Sequence, residues 1–215
     1  MKRLLTYSVM LCMTALLAAQ NYNDTTFNFT VVKENKITSV KNQANSSTCW
    51  SFSGLAFFES ELLRMGKPAV DLSEMFVVHH SYTDKAEKYL RMNGTSNFAP
   101  GGSFYDDVYA WKTYGMVPDS VMNGLNYGET KHVHGELDAL TSAFMNTMLK
   151  NPNKSISTAW QPAFEGILNA YLGKLPTEFT VNGKKYTPVS YANSLGLNMD
   201  DYVSITSFTH HPFYT

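Results

Sequence analysis

Helices first and a hairpin late predict an α+β class for this 215-residue chain. Five stretches between Thr48 and Gly173 repeat apolar residues at three- and four-residue steps. Residues 178–188, EFTVNGKKYTP, switch to a period of two around Asn182-Gly183, a tight-turn signal. Hydrophobic residues make up 44% of the chain and charged residues 16%, a globular composition with enough apolar content for a substantial core.

The first helix starts at Thr48, a suitable N-cap, and carries Phe52, Leu55, Phe58 and Leu62 with Ala56 and Leu63 alongside; Gly66 and Pro68 close it. Ser73 and Glu74 open a second, ending near Asn93 and Gly94. SFYDDVYAWKTYG (103–115) is a third, stopped by Gly115 and Pro118. Residues 134–150, with Leu137, Leu140, Phe144 and Met148, are a fourth, and 162–173 are a fifth. Residues 20–39, around FNFTVV, are expected to form an arm or strand leading into the core. DDYVSITSFTHHPFYT (200–215) reads as a strand running into a loop. There is no internal repeat.

The formal net charge of −1, without a basic stripe, argues against a nucleic-acid partner. MKRLLTYSVMLCMTALLAAQ has a basic start, an apolar stretch from Leu4 to Leu17 and small residues at Ala18 and Ala19, the plan of a secretory leader. Cleavage is expected after Ala19, dividing the chain into a leader (1–19) and one domain (20–215) exported to periplasm or medium. A lipid anchor at Cys12 is disfavoured because Leu11 stands where a small residue would be expected. After residue 20 no segment holds the roughly 18 apolar residues of a membrane span.

Removal of the leader takes Cys12 with it and leaves Cys49 as the single cysteine of these residues. A disulfide within them is then impossible, and a metal site lacks a second thiol. A buried small residue beside Trp50 and a nucleophile remain. The first turn of a helix offers unpaired N–H groups and a partial positive charge, both of which favour an anionic sulfur. Attack on an amide carbonyl creates an oxyanion that needs donors already in position. The Cys49 backbone N–H can supply one, and the side-chain amide of Gln43, six residues earlier, the other.

Val40-Lys41-Asn42-Gln43 followed by Cys49, Trp50, Phe52 and Ser53 resembles the active-site segment of papain-like cysteine peptidases, with the same glutamine-to-cysteine spacing. Gly101-Gly102 resembles that family's twin glycine, which lines the cleft and pairs with the peptide backbone, and DLSEMFVVHH resembles the helix between the two motifs. Ser46 stands where secreted members have a second cysteine, paired in a disulfide. That departure and the helical insertion after Gly115 look more like the bleomycin hydrolase and aminopeptidase C branch. ILNAYLGKLP, KKYTPVSYANSLGL and TSFTHHPFYT are similar to segments of that branch.

The resemblance implies a papain-like fold, here the helical subdomain with a helical insertion and the start of the β subdomain. It implies a cysteine peptidase of aminopeptidase type, working through a thioester, with Cys49 as nucleophile and Gln43 as oxyanion donor. Gly101, Gly102 and Trp50 would line the substrate cleft. Peptides are the implied substrate, a homo-hexamer the possible assembly, and no metal or organic cofactor is implied. A non-catalytic peptide-binding relative and a thiol amidase on the same scaffold stay open.

Such chemistry needs an imidazole and an Asn or Asp to orient it. The usual spacing puts that His at about residues 179–199, where there is none. His79 and His80 read as packing residues of the second helix. His132 and His134 read as capping or solvent-facing, and THHPFYT resembles a segment preceding the catalytic His of the branch. The domain is therefore expected to be incomplete at its C-terminus, with the His and Asn beyond Thr215.

Overall fold

A computed structural model describes residues 29–203. The leader, Cys12, the start of the FNFTVV arm, His210, His211 and the rest of the final stretch lie outside the described residues. The chain divides into two units at Glu34 and Asn35. Residues 29–34 of the first make no helix or strand.

The elements of the second unit run in the order α1 (Cys49–Arg64), α2 (Glu74–Arg91), α3 (Phe104–Tyr114), α4 (Gly135–Leu149), α5 (Trp160–Leu172), a hairpin of β1 (Phe179–Val181) and β2 (Lys184–Tyr186), α6 (Pro188–Leu195), and a 3-10 turn at Met199–Asp201. Over the described part of the expected arm or strand, no strand forms. Residues 35–40 carry no regular structure and are largely exposed, because the alternation there meets no partner strand among the described residues. The strand expected at 200–215 is replaced, over its described part, by the 3-10 turn, which Asn198 caps by accepting from the Asp200 N–H.

The apolar stripe of α1 buries Leu55, Phe58 and Leu62. Phe52 and Ala56, on its flank, are only half-buried. Helix α2 is the centre of the molecule and packs against α1, α3, α4 and α5. Its first six residues, Glu74 to His79, are all buried, as in a central helix. Ser73 starts it by accepting from the Phe76 N–H and donating to the Met122 carbonyl. Pairs across the layers fix its later turns. Tyr82 donates to Asp138 on α4, His79 meets Asn169 on α5 at 3.0 Å, and Tyr114 on α3 donates to Asp84 at 2.6 Å.

Helix α3 lies against α1 at Gly54, where a Cβ would sit 2.1 Å from an Asp107 carboxyl oxygen. It ends at Gly115, whose φ of +83° only glycine adopts readily and where the Pro188 backbone leaves no room for a Cβ. The hairpin pairs Phe179 with Tyr186 and Val181 with Lys184. Asn182 and Gly183 both have positive φ, which matches the turn that a two-residue connection prefers. Helix α6 was not expected from the sequence. Thr187 and Ser190 bond each other's backbone N–H, and Pro188 fills the first helical position, a short signal between a hairpin and a glycine.

Asp107 is fully buried between α1 and α3, beside Ser51 and Gly54, and its oxygens make no hydrogen bond of ordinary geometry. Burial drives its pKa up to about 8, with the Ser51 hydroxyl opposing. The folded state therefore holds a proton that the unfolded chain has lost above about pH 4. The stability this confers is present at low pH and falls as pH rises towards 8. Asp107→Asn should remove that decline. Urea denaturation from pH 5 to 8.5 should show the unmodified protein losing more stability than the variant, with the gap widest at the alkaline end.

Candidate active site

Cys49 is the first residue of α1, a free and exposed thiol. Thr48 precedes it as N-cap, but its hydroxyl is engaged with Ser46 at 2.6 Å instead of the helix. The first helical bonds come from the Ser51 and Phe52 N–H groups to the Thr48 carbonyl, and the Cys49 N–H donates to no protein acceptor among the described residues. An unpaired donor thus lies beside the sulfur at the positive end of a 16-residue helix.

Cys49 and Gln43 line one cavity of about 360 Å³, together with Phe52, Ser53 and Ala56 of α1 and Ile37 to Lys41 of the arm. The side-chain amide of Gln43 makes no hydrogen bond among the described residues, and its oxygen is buried. A donor without a partner, held in the cavity of an exposed thiol, is what oxyanion stabilisation requires.

The loop between them is not relaxed. Ala44 has φ 47° and Ser47 φ 58°, the left-handed region that residues with a Cβ enter only at a cost of about 1–2 kcal/mol each. Several bonds offset this cost. The Ala44 N–H donates to Asn42, and the Ser46 N–H donates to the Gln43 carbonyl. Asn45 exchanges two backbone bonds with the segment before α4, its N–H to His132 O at 2.8 Å and its carbonyl from His134 N–H at 3.2 Å.

Lys41, two residues before Gln43, anchors the arm. Its ammonium lies 2.8 Å from Glu59, 2.9 Å from Glu74 and 2.6 Å from Asp71, and it also donates to the Leu72 carbonyl. Glu59 also accepts from the Leu72 N–H and the Thr38 hydroxyl. Glu59 and Glu74 are buried. Burial disfavours the Lys41 charge, yet the carboxylates, Glu74 foremost, hold its pKa above the usual lysine value. Burial pushes Glu74 up to about 7, against the pull of Lys41. None of this was assigned from the sequence, although Glu59 among Leu55, Phe58 and Leu62 is a visible anomaly, a carboxylate on a buried stripe.

Trp50 is buried, and its indole N–H donates to the Pro100 carbonyl at 3.0 Å. Gly102 presses on its face, where a Cβ would lie 2.6 Å from the ring, while Gly101 faces open space. The segment holding the twin glycine is thus fastened to the residue next to Cys49. All five residues singled out from the sequence fall into one region, Gln43 with Cys49 in the cavity and Trp50 joining Cys49 to Gly101 and Gly102.

The histidines do not join them. His79 is buried with Asn169, and burial lowers its pKa. His80 stacks on Tyr114 at 3.8 Å, with burial lowering its pKa to about 3. Of the capping or solvent-facing expectation for His132 and His134, His134 does take the N-cap position of α4, without a side-chain cap bond, and neither ring is exposed. His134 is fully buried against Ser46 and Tyr127, its pKa lowered to about 4 by burial, with the His132 ring adding to the effect. His132 packs edge-on to Phe52 with its Nδ1 buried, and burial lowers its pKa as well. Both close the main-chain bridge to Asn45, a pairing between distant segments that leaves no local pattern. No described histidine lines the Cys49 cavity.

Residues 25–121 match the family model described as papain family cysteine protease. Among solved structures the chain is similar to PepW from Lactobacillus rhamnosis HN001 (DR20), determined as the selenomethionine derivative, with a TM-score of 0.57 and 22% identity. The likeness covers 81% of this chain and 47% of PepW, so the chain spans about half the length of that structure. The mainly helical architecture with a small sheet is that of the helical part of a papain-like fold.

Gly101→Ala should leave stability unchanged, whereas Gly102→Ala must displace Trp50 and should cost about 1–3 kcal/mol, read as a lowered urea midpoint. Lys41→Met leaves two buried carboxylates without their cation and should cost about 3–5 kcal/mol in the same assay.

Proposed function

We propose, from the match of residues 25–121 to the family model described as papain family cysteine protease, that the protein is a cysteine peptidase whose nucleophile is Cys49. The observation that carries this reading is the shared cavity of an exposed helix-start thiol and an unpaired glutamine amide. The Cys49 thiolate attacks the carbonyl carbon of a peptide bond, and the resulting oxyanion is met by the Cys49 N–H and the Gln43 amide. The C–N bond breaks, the amine leaves with a proton from an imidazolium, and water hydrolyses the thioester to restore the thiol. The free backbone groups of Gly102 receive the peptide chain beside Trp50, with Gly101 at the rim.

Within this reading the imidazole is assigned to residues outside 29–203. Aminopeptidase type, a hexameric assembly and export behind a leader at 1–19 belong to the same reading. They rest on the resemblance of the sequence to the bleomycin hydrolase and aminopeptidase C branch and on the leader pattern of residues 1–20.

The test is hydrolysis of aminoacyl- and peptidyl-coumarins by the full-length protein. Cys49→Ala should abolish turnover. Gln43→Ala should lower kcat by about two to three orders of magnitude with an unchanged melting temperature, and a near-normal kcat would remove Gln43 from the mechanism. Turnover that survives in Cys49→Ala would overturn the reading. Changing His210 and His211 together to Ala should leave kcat intact if the base lies beyond Thr215, and abolish it if either is the base.

A further inference from the structure

Lys85, in the second turn from the end of α2, does not form an ion pair among the described residues. Among the described residues no carboxylate lies within 4.0 Å of its ammonium. The ammonium donates instead to two backbone carbonyls of the loop before α3, Gly101 O at 2.6 Å and Ala99 O at 3.2 Å. It also stands 5.5 Å from the centroid of the Trp50 ring, within cation–π range. The carbonyl between those two, Pro100 O, is taken by the Trp50 indole N–H. Three consecutive carbonyls are thus fixed by two side chains within cation–π range of each other. The next residue, Gly102, keeps both its backbone N–H and its C=O free among the described residues. Beyond it the Ser103 N–H is bound to Asp106 at 2.7 Å. Gly102 is therefore an unpaired backbone edge set in a clamped loop.

A charged lysine half-buried without a carboxylate is costly unless it is well bonded. Burial lowers its pKa, opposed by Asp106 farther off. A leucine or methionine would pack the same flank without that cost, so packing alone does not explain an ammonium there. Its one structural product is the fixed orientation of peptide units 99 to 101, and with it the direction in which the Gly102 N–H and C=O point.

We propose that Lys85 is a positioning residue for substrate docking: by holding the Ala99 and Gly101 carbonyls against Trp50 it presents the Gly102 backbone to an extended peptide. The assignment rests on the cleft reading above, in which Gly102 pairs with the peptide. It extends that reading to a residue that touches neither substrate nor nucleophile.

Covalent labelling of Cys49 in the full-length protein, followed by mass spectrometry, separates docking from turnover. A peptidyl chloromethyl ketone must dock along the cleft to react fast, whereas iodoacetamide is too small to reach Gly102. Lys85→Met should slow labelling by the peptidyl reagent about tenfold, the size expected for loss of hydrogen bonds to a charged donor. It should leave the iodoacetamide rate unchanged. Lys85→Arg, whose guanidinium can span both carbonyls, should recover most of the peptidyl rate. An unchanged peptidyl rate in Lys85→Met overturns the proposal. So does a parallel fall of both rates, which would mark Lys85 as a fold-stabilising residue. If the peptidyl reagent has no advantage over iodoacetamide in the unmodified protein, the cleft reading and the Lys85 assignment fall together. If that advantage exists and depends on Lys85, but peptides are not hydrolysed, the assignment stands and the peptidase reading falls.

Discussion

The position of everything near Cys49 depends on one ammonium. Lys41 is held by Glu59 from the middle of α1, Glu74 from the first turn of α2, and Asp71 from the connection between them. Two of these carboxylates are buried, where an ionised group without a counter-charge costs several kcal/mol. The cluster is therefore satisfied only when the arm lies across both helices, and that placement carries Gln43 to the side of the thiol two residues later. The link is electrostatic at its root and geometric in its product: a buried charge balance fixes where a neutral amide stands.

The loop from Gln43 to Cys49 is held by a different means. Where secreted members of the resembling family have a cysteine for a disulfide, this chain has Ser46, whose hydroxyl is used locally with Thr48. Tension in the loop, with two residues at positive φ, is borne by the paired backbones of Asn45 and residues 132–134, sealed by the buried His134 ring. The segment leading into α4 acts as a buttress for the Cys49 end of α1.

The helices were legible because each carries its own stop and start. Gly66 with Pro68, the Ser73 cap and Gly115 mark ends within a few residues, and Asn182-Gly183 marks the hairpin. Helix α6 was missed because its eight residues are too few to display a period, leaving only the Thr187–Ser190 cap as a sign. Of the site, Gln43, Cys49, Trp50 and the two glycines were legible because they fall in two short motifs, 43–50 and 101–102. Lys41, Lys85, Asp107 and His134 were not, since each acquires its meaning from a partner tens of residues away. A charge in an amphipathic helix reads as solvated surface until its neighbours are known, and here Glu59 and Asp107 both lie inside.

The bridge between Asn45 and Val133 also sets an order of assembly. Helices α1 to α3 are complete in the chain before α4 and can associate first, whereas the loop that aims Gln43 closes only when the segment before α4 arrives, at the entropic cost of a longer ring of chain. On the ribosome the thiol would emerge long before that clasp. The nascent chain would therefore pass through a stage with a helix bearing Cys49 but no aimed amide beside it, and Gln43 would be set only after residues 132–134 have been made. Chain order and completion order run opposite ways, so the pairing of thiol and amide comes as a late product of folding.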